Sequence, residues 1–234
     1  MKSLNDISNQ VKSIFKTNWQ IRDGQKVPEP SDITLGNDAV KLNATVLYAD
    51  LKESTNMVGK YKKTFSAEVY KSYLVACCDL IRNNDGVITS FDGDRVMAVF
   101  IGDEKESKAA KTALQINYIV RKVINPELQD NYNTNFIIEQ VVGIDNSELL
   151  VAKTGIRGDN DLVWVGNAAN IAAKMCSIRK GTYNTYISKN VYDSLNDVSK
   201  YHFSNSFKYN MWESFFWNDY NRTIYGSTYW WKPN

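Results

Sequence analysis

Apolar and polar positions alternate on both sides of a short polar break between residues 86 and 100, GVITSFDGDRVMAVF. Val87, Thr89 and Phe91 alternate with Ile88 and Ser90, and Val96, Ala98 and Phe100 alternate with Met97 and Val99. A period of two around Asp92-Gly93 predicts a hairpin with Asp94 at its tip. A further apolar strand, Ala44 to Ala49, closes on Asp50. The helical period shows first in Leu4, Ile7, Val11 and Ile14, a stripe following Ser3 that is too short to be stable alone and must pack on something. It continues in a helix over 56–82, with Val58, Tyr61, Phe65, Val69, Tyr73 and Leu80 on one face, and in a helix over 104–124 stopped by Asn125-Pro126. Residues 22–40, with Gly and two prolines among several acids, read as an irregular connector. Strands are expected at 136–143 and 148–153, with Asp145-Asn146 turning the chain between them. TGIRGDND then reads as a polar loop, LVWV as a strand and 166–179 as a helix. The order βαββαββα predicts an α/β fold of the α+β kind: a split-βαβ, ferredoxin-like domain whose antiparallel-rich sheet is covered by helices.

Composition narrows the function. The chain has 234 residues, 43% of them hydrophobic, and can bury one sizeable core. Residues 1–42 read as an N-terminal helix and connector, 43–200 as the main domain, and 201–234 as aromatic-rich closing strands, with TIYGSTYWW along the sheet edge or a dimer surface. A net charge of +2 with scattered lysines gives no footprint for nucleic acid. The C-terminal rings lack the interleaved Arg and Lys of a base-stacking platform. No run reaches the roughly 20 apolar residues of a membrane span, and no apolar signal region follows Met1, so the expected location is the cytoplasm. Cys77, Cys78 and Cys176 read as core fillers, and a lone His202 gives no support to histidine-base or zinc chemistry.

The candidate chemistry lies in two carboxylates. Asp50 and Asp94 each end a strand beside a turn, an arrangement that suits hard cations, which prefer carboxylate oxygen and leave positions for phosphates. The segment after Asp50, LKEST, leads into a helix. Backbone donors around Ser54 and Thr55 could hold a triphosphate there.

TVLYADLKEST, ITSFDGDRVMAVF and VGIDNSELLVAKTGIRGDNDLVWVGNAANIAAKM resemble three successive signatures of the class III nucleotidyl cyclase catalytic domain, over about residues 43–195. The resemblance implies a head-to-tail homodimer with active sites at the subunit interface. Two divalent cations, Mn²⁺ or Mg²⁺, would be held by Asp50, Asp94 and the backbone carbonyl of Leu51. From the other subunit, Asn170 would orient the ribose and Lys174 would stand where the family has a phosphate-stabilising arginine. Arg157 reads either as a phosphate-binding arginine, in a loop one residue longer than the family's, or as a solvated loop charge. For Lys174 the plain alternative is an exposed helix charge.

Departures from the pattern point to the base. The family's purine readers would stand at positions 90 and 163, where this chain has Ser90 and Val163. Phrases such as DGDRVMAVF, TGIRGDNDLVWVG and AANIAAK look like the pyrimidine cyclases of the bacterial Pycsar antiphage system. That implies UTP as substrate, with CTP as the alternative, and a separate effector activated by the cyclic nucleotide. Tyr48, two residues before Asp50, could narrow a base pocket or be a core tyrosine. Arg95 could meet a phosphate or a base carbonyl, or pair with an acid. Two other classes stay open: a silent cyclase-like module that binds nucleotide, and a two-metal palm domain.

Overall fold

The computed structural model describes residues 2–178, 182–205 and 207–233. In chain order the elements are α1 (Leu4–Lys16), β1 (Gln20–Asp23), β2 (Asp38–Leu51), α2 (Ser54–Lys60), α3 (Lys63–Asn83), β3 (Val87–Asp92), β4 (Arg95–Phe100) and α4 (Lys105–Ile119). A π-helical segment (Val120–Ile124) leads into α5 (Asn125–Tyr132), followed by β5 (Gln140–Ile156), β6 (Asp159–Val165), α6 (Asn167–Met175), β7 (Thr185–Ser188) and α7 (Lys189–Ser194). The chain ends through α8 (Asp197–Lys200), β8 (Tyr201–Ser204), β9 (Phe207–Asn210), β10 (Glu213–Trp217) and β11 (Arg222–Ser227). Contacts divide it into two units, Met1–Asn43 with Glu148–Gly166, and Ala44–Ser147 with Asn167–Asn234.

In the first unit, α1 opens on a capping box in which Ser3 and Asp6 satisfy each other's backbone N–H groups. Its last turn is held by the Asn37 amide, which donates to the carbonyls of Ile14 (2.8 Å) and Thr17 (2.6 Å). The connector expected over 22–40 is not irregular at its ends: β1 pairs in parallel with the start of β2, from Gln20 opposite Asp38 to Asp23 opposite Lys41. The polar loop expected at TGIRGDND is also a correction. β5 and β6 form a hairpin that pairs down to Ile156 opposite Asp159, and only Arg157-Gly158 turn.

The second unit carries the sheet order β10-β11-β7-β5-β2-β4-β3. Alternation along β2 sends Leu47, Ala49 and Leu51 to one face, where they join Val96, Ala98 and Phe100 of β4 in a core closed by α3 and α4. Tyr48 points to the other face, against Ile171, Met175 and Cys176 from α6 and its end, with Trp217 and Ile224 in the same cluster. Gly143 lets α6 lie close to β5, because a Cβ there would stand 2.1 Å from the Ala172 carbonyl oxygen.

Several boundaries differ from the sequence expectation. Asp145-Asn146 does not turn the chain; β5 runs through without a break. The Asp145 carboxylate is buried and accepts from the Ser188 hydroxyl and the Asn146 backbone N–H, so the aspartate finds inside the sheet the partners that a turn would otherwise supply. β5 starts at Gln140, and Phe136 packs instead with Tyr61 and Phe65 in a ring cluster. The expected 56–82 helix begins earlier, at Ser54, and is broken at Tyr61-Lys62 into α2 and α3. Asn125-Pro126 does not stop the preceding helix, because a π segment hands over to α5 with the proline in its first turn, where no N–H is needed. The helix expected over 166–179 is described as α6 to Met175, and Arg179 lies outside the described residues.

At the C-terminus β10 and β11 form the sheet edge. After Ser227 the chain leaves the strand and runs beside α4, where Asn117 donates to the Tyr229 carbonyl (2.7 Å) and the Trp231 N–H to that of Leu114 (3.0 Å). Cys77 and Cys176 are buried and Cys78 partly so, none of them in a disulfide, and His202 is exposed in β8. Among the described residues no helix is long and apolar enough to cross a membrane.

Candidate active site

The face of the β3-β4-β2 sheet that carries Tyr48 also carries Asp50, and Asp94 stands in the β3-β4 loop at the end of that sheet. The two-residue hairpin loop is Gly93-Asp94, one position later than the sequence pattern indicates, and Gly93 takes the positive φ (62°) that such a tight turn requires. Asp92 pairs with Arg95, and Ala49 pairs with Val96, so Asp50 falls beside Arg95 at the end of the row. The Arg95 guanidinium donates to Asp50 Oδ2 at 2.9 Å, and Asp50 is only 6% exposed. A carboxylate this buried requires a cation beside it, and here Arg95 supplies the charge.

Asp94 lacks such a partner. Its Oδ2 is buried without a hydrogen bond, while the Ser54 hydroxyl at the start of α2 and the residue's own backbone N–H donate to the carboxylate. Burial pushes its pKa above the ordinary aspartate value, and the negative charge of Asp50 adds to the rise. The two carboxylates therefore feel each other, as a shared cation site requires. Among the described residues, no group of three or more His, Cys, Asp or Glu side chains is gathered for a metal. The donor set is two carboxylates plus backbone oxygen such as that of Leu51, an all-oxygen set with positions left over, which fits a hard divalent ion shared with phosphates. Ser54 is half-buried against this pair, and Thr55 is exposed at the beginning of α2.

One row nearer the middle of the sheet, Tyr48, Met97 and Ser90 lie side by side. A register shift between Ile88 and Ser90 puts Ser90 opposite Met97. Without that bulge Ser90 would face α3 and α4, because a slip of one residue exchanges the faces of a strand. Burial raises the Tyr48 phenol pKa above its usual value. Met97, 2% exposed, lies between the two polar candidates and was missed from sequence, where it reads as one more apolar residue of a strand. The cross-strand register of the hairpin is the signal that would have found it. Asp92, next to Arg95 in the same row, reads from sequence only as part of the turn.

α6 presents Asn170 and Lys174 one turn apart on its exposed side, with Ala168, Ile171, Ala172 and Met175 buried. Just past its end the Cys176 thiol donates to the Tyr48 carbonyl at 3.4 Å, which ties the helix to the strand carrying Tyr48 and Asp50. The remaining two candidates belong to the first unit. Arg157 is exposed in the β5-β6 turn, and Val163 is exposed on β6 opposite Ala152. Within the second unit the structure brings together Tyr48, Ser90, Asp50, Asp94, Arg95 and Ser54.

Comparison with solved structures identifies the architecture. The chain matches the guanylyl cyclase Cya2 with a TM-score of 0.67 at 18% identity, over 82% of this chain and 95% of that one. It matches a bacterial light-regulated adenylyl cyclase with a TM-score of 0.71 at 16% identity, over 87% of this chain and 56% of that one. The fold is that of the class III nucleotidyl cyclase catalytic domain. No protein-family model matches the chain. Curated relatives are closer in sequence: uridylate cyclases of Xanthomonas perforans (48% identical over 94% of each chain), Rhodovulum sp. strain MB263 (41%, 97% of each) and Burkholderia cepacia (43%, 99% of each). The chain belongs to this uridylate cyclase family, and it is a nucleotidyl cyclase.

Proposed function

We propose that the enzyme converts UTP to 3′,5′-cyclic UMP and diphosphate, as a second-messenger synthase in antiphage defence whose product acts on a separate effector. The observation that carries the substrate is the full-length similarity to three relatives named uridylate cyclase, at 41–48% identity. The site chemistry agrees with it. Ser90 is too short to reach the far edge of a purine, and Val163 offers no hydrogen bond, so ATP or GTP would leave polar edges unpaired at roughly 1–3 kcal/mol each. Tyr48 and Met97 fill the sheet face beside Ser90, which favours the smaller ring.

Asp50, Asp94 and the Leu51 carbonyl would hold two divalent cations, Mn²⁺ or Mg²⁺. When bound, such ions lower the pKa of the ribose 3′-hydroxyl and neutralise triphosphate charge. The buried, unpartnered Oδ2 of Asp94 supports this assignment, since a native buried acceptor left without a donor calls for a ligand. In the proposed head-to-tail homodimer Asn170 orients the ribose, and Lys174 and Arg157 offset charge on the phosphates. Each such contact is worth a few kcal/mol in the barrier, about 3 for a single well-placed donor. Arg95 holds Asp50 in place through the 2.9 Å ion pair. The test is to incubate the purified protein with each of the four ribonucleoside triphosphates and Mn²⁺ and to identify products by mass. Cyclic UMP is expected; a dominant cyclic CMP overturns the choice of UTP, and a dominant purine product overturns the pyrimidine assignment.

A further inference from the structure

Among the described residues each unit carries one exposed apolar surface, and the two match in length and in charge. The first is α1. Leu4, Ile7, Val11 and Ile14 recur at helical spacing with Phe15 beside them, and none is buried. The helix is a preformed rod, capped by Ser3 at one end and by Asn37 at the other, and its 13 residues span about 20 Å. Its polar side is basic, with Lys12 and Lys16 outweighing the single acid Asp6. A helix of this length is marginal in water without something on its apolar face.

The second surface is a groove of about 910 Å³ in the other unit, between α3 and the stretch from the end of α4 through α5. Its apolar lining includes Val69, Leu80 and Leu128, and Val75 (59% exposed) and Val123 (41%) stand open to solvent. The charged residues that line it are Glu68, Asp79 and Glu127, with no lysine or arginine among them. The α3 wall runs from residue 68 to residue 80, a helical rise of about 18 Å, close to the length of α1.

We propose that α1 of a second copy of this chain lies in the groove, with Leu4, Ile7, Val11 and Ile14 against its apolar lining and the lysines toward the acidic rim. Anchors at i, i+3, i+7 and i+10 are how an amphipathic helix enters such a groove. The groove's three acids select a basic helix and α1 is one, so the chain carries both halves of the contact. Exchanged reciprocally, two contacts close a pair of copies without leaving either surface open.

Cysteine cross-linking tests this in the full-length protein with Cys78 replaced by Ser, which removes a native thiol from α3. Val11→Cys and Val75→Cys proteins are coexpressed and oxidised mildly. Both positions are exposed, so neither change burdens folding. A disulfide-linked heterodimer is expected in the mixture and not with either protein alone. Its yield should fall at least about tenfold when Ile7→Asp is added, because a carboxylate would then be pressed against an apolar wall. Glu68→Lys should lower the yield, and Lys12→Glu should restore part of it. Self-linking of Val11→Cys at equal yield would assign α1 to another α1 and overturn the proposal. So would the absence of any link. Binding to phosphatidylglycerol vesicles that Ile7→Asp abolishes, with no link formed, would assign the helix to a membrane surface instead.

Discussion

Replacing Asp94 with Ala separates stability from activity in a way that only a ligand-binding carboxylate allows. Oδ2 of Asp94 is buried without a donor, and Asp50 repels the charge. Removing an unsatisfied buried acceptor relieves about 1–3 kcal/mol, and losing the Ser54 hydrogen bond costs about 1. The net change is a gain of between 0 and about 2 kcal/mol. For a chain of this size that leaves Tm unchanged or raises it by a few degrees, at about 2–4 °C per kcal/mol. Cyclase turnover should meanwhile drop by at least about 10²–10³, the range seen when one electrostatic element of an active site is removed. Differential scanning fluorimetry with and without Mn²⁺, beside a diphosphate-release assay, reads both quantities. At a hundredfold excess over Kd, Mn²⁺ should add about 2.7 kcal/mol to the wild type, a rise of about 5–10 °C, and little to the variant. An Asp94→Ala protein that melts several degrees lower yet keeps its Mn²⁺ response and its turnover would refute the reasoning.

Arg95→Met should act in the opposite sense, leaving the Asp50 carboxylate buried without its 2.9 Å partner and costing roughly 3 kcal/mol, which a chemical denaturation midpoint would register. No change in that midpoint would mean that the ion pair contributes nothing. For assembly, Asp50→Ala and Lys174→Ala proteins should each be nearly inactive and regain activity when mixed, through hybrid dimers holding one intact site; failure to complement in a mixture shown to exchange subunits would contradict a shared site. Asp145 sets a pH dependence: burial raises its folded pKa above the unfolded value near 3.9, so its contribution is greatest below the unfolded pKa and is lost as pH rises through the folded one. The stability of Asp145→Asn relative to wild type should therefore be most favourable at neutral pH and decline as pH is lowered into the carboxylate range, and a difference that is flat with pH would refute the assignment.

The strand-end carboxylate Asp50 and the hairpin were legible because a period of two survives on both flanks of the loop, although the turn falls on Gly93-Asp94, one position beyond the Asp-Gly signal. The same local signals misled where tertiary partners satisfied them. Asp145-Asn146 has turn chemistry, but Ser188 gives the aspartate a donor within the sheet, so β5 runs straight through. Pro126 breaks a helix interior and is harmless in the first turn of α5, a distinction that depends on the π segment before it. The row of Tyr48, Met97 and Ser90 depends on a bulge, which no spacing rule reveals. The stripe of α1 was legible as a helix, but its exposure was not: the spacing asks for something to pack on, and none of the residues of α1 is buried.

The central claim, that this site selects uridine and cyclises it, is tested most directly by competition. All four ribonucleoside triphosphates at equal concentration are given to the enzyme with Mn²⁺, and the cyclic products are counted by mass at low conversion, which reads the ratios of kcat/KM. Cyclic UMP should exceed each purine product by at least about tenfold, the discrimination expected from one unpaired polar edge. A mixture dominated by cyclic CMP would contradict the choice of uridine, and one dominated by cyclic AMP or cyclic GMP would contradict the account as a whole.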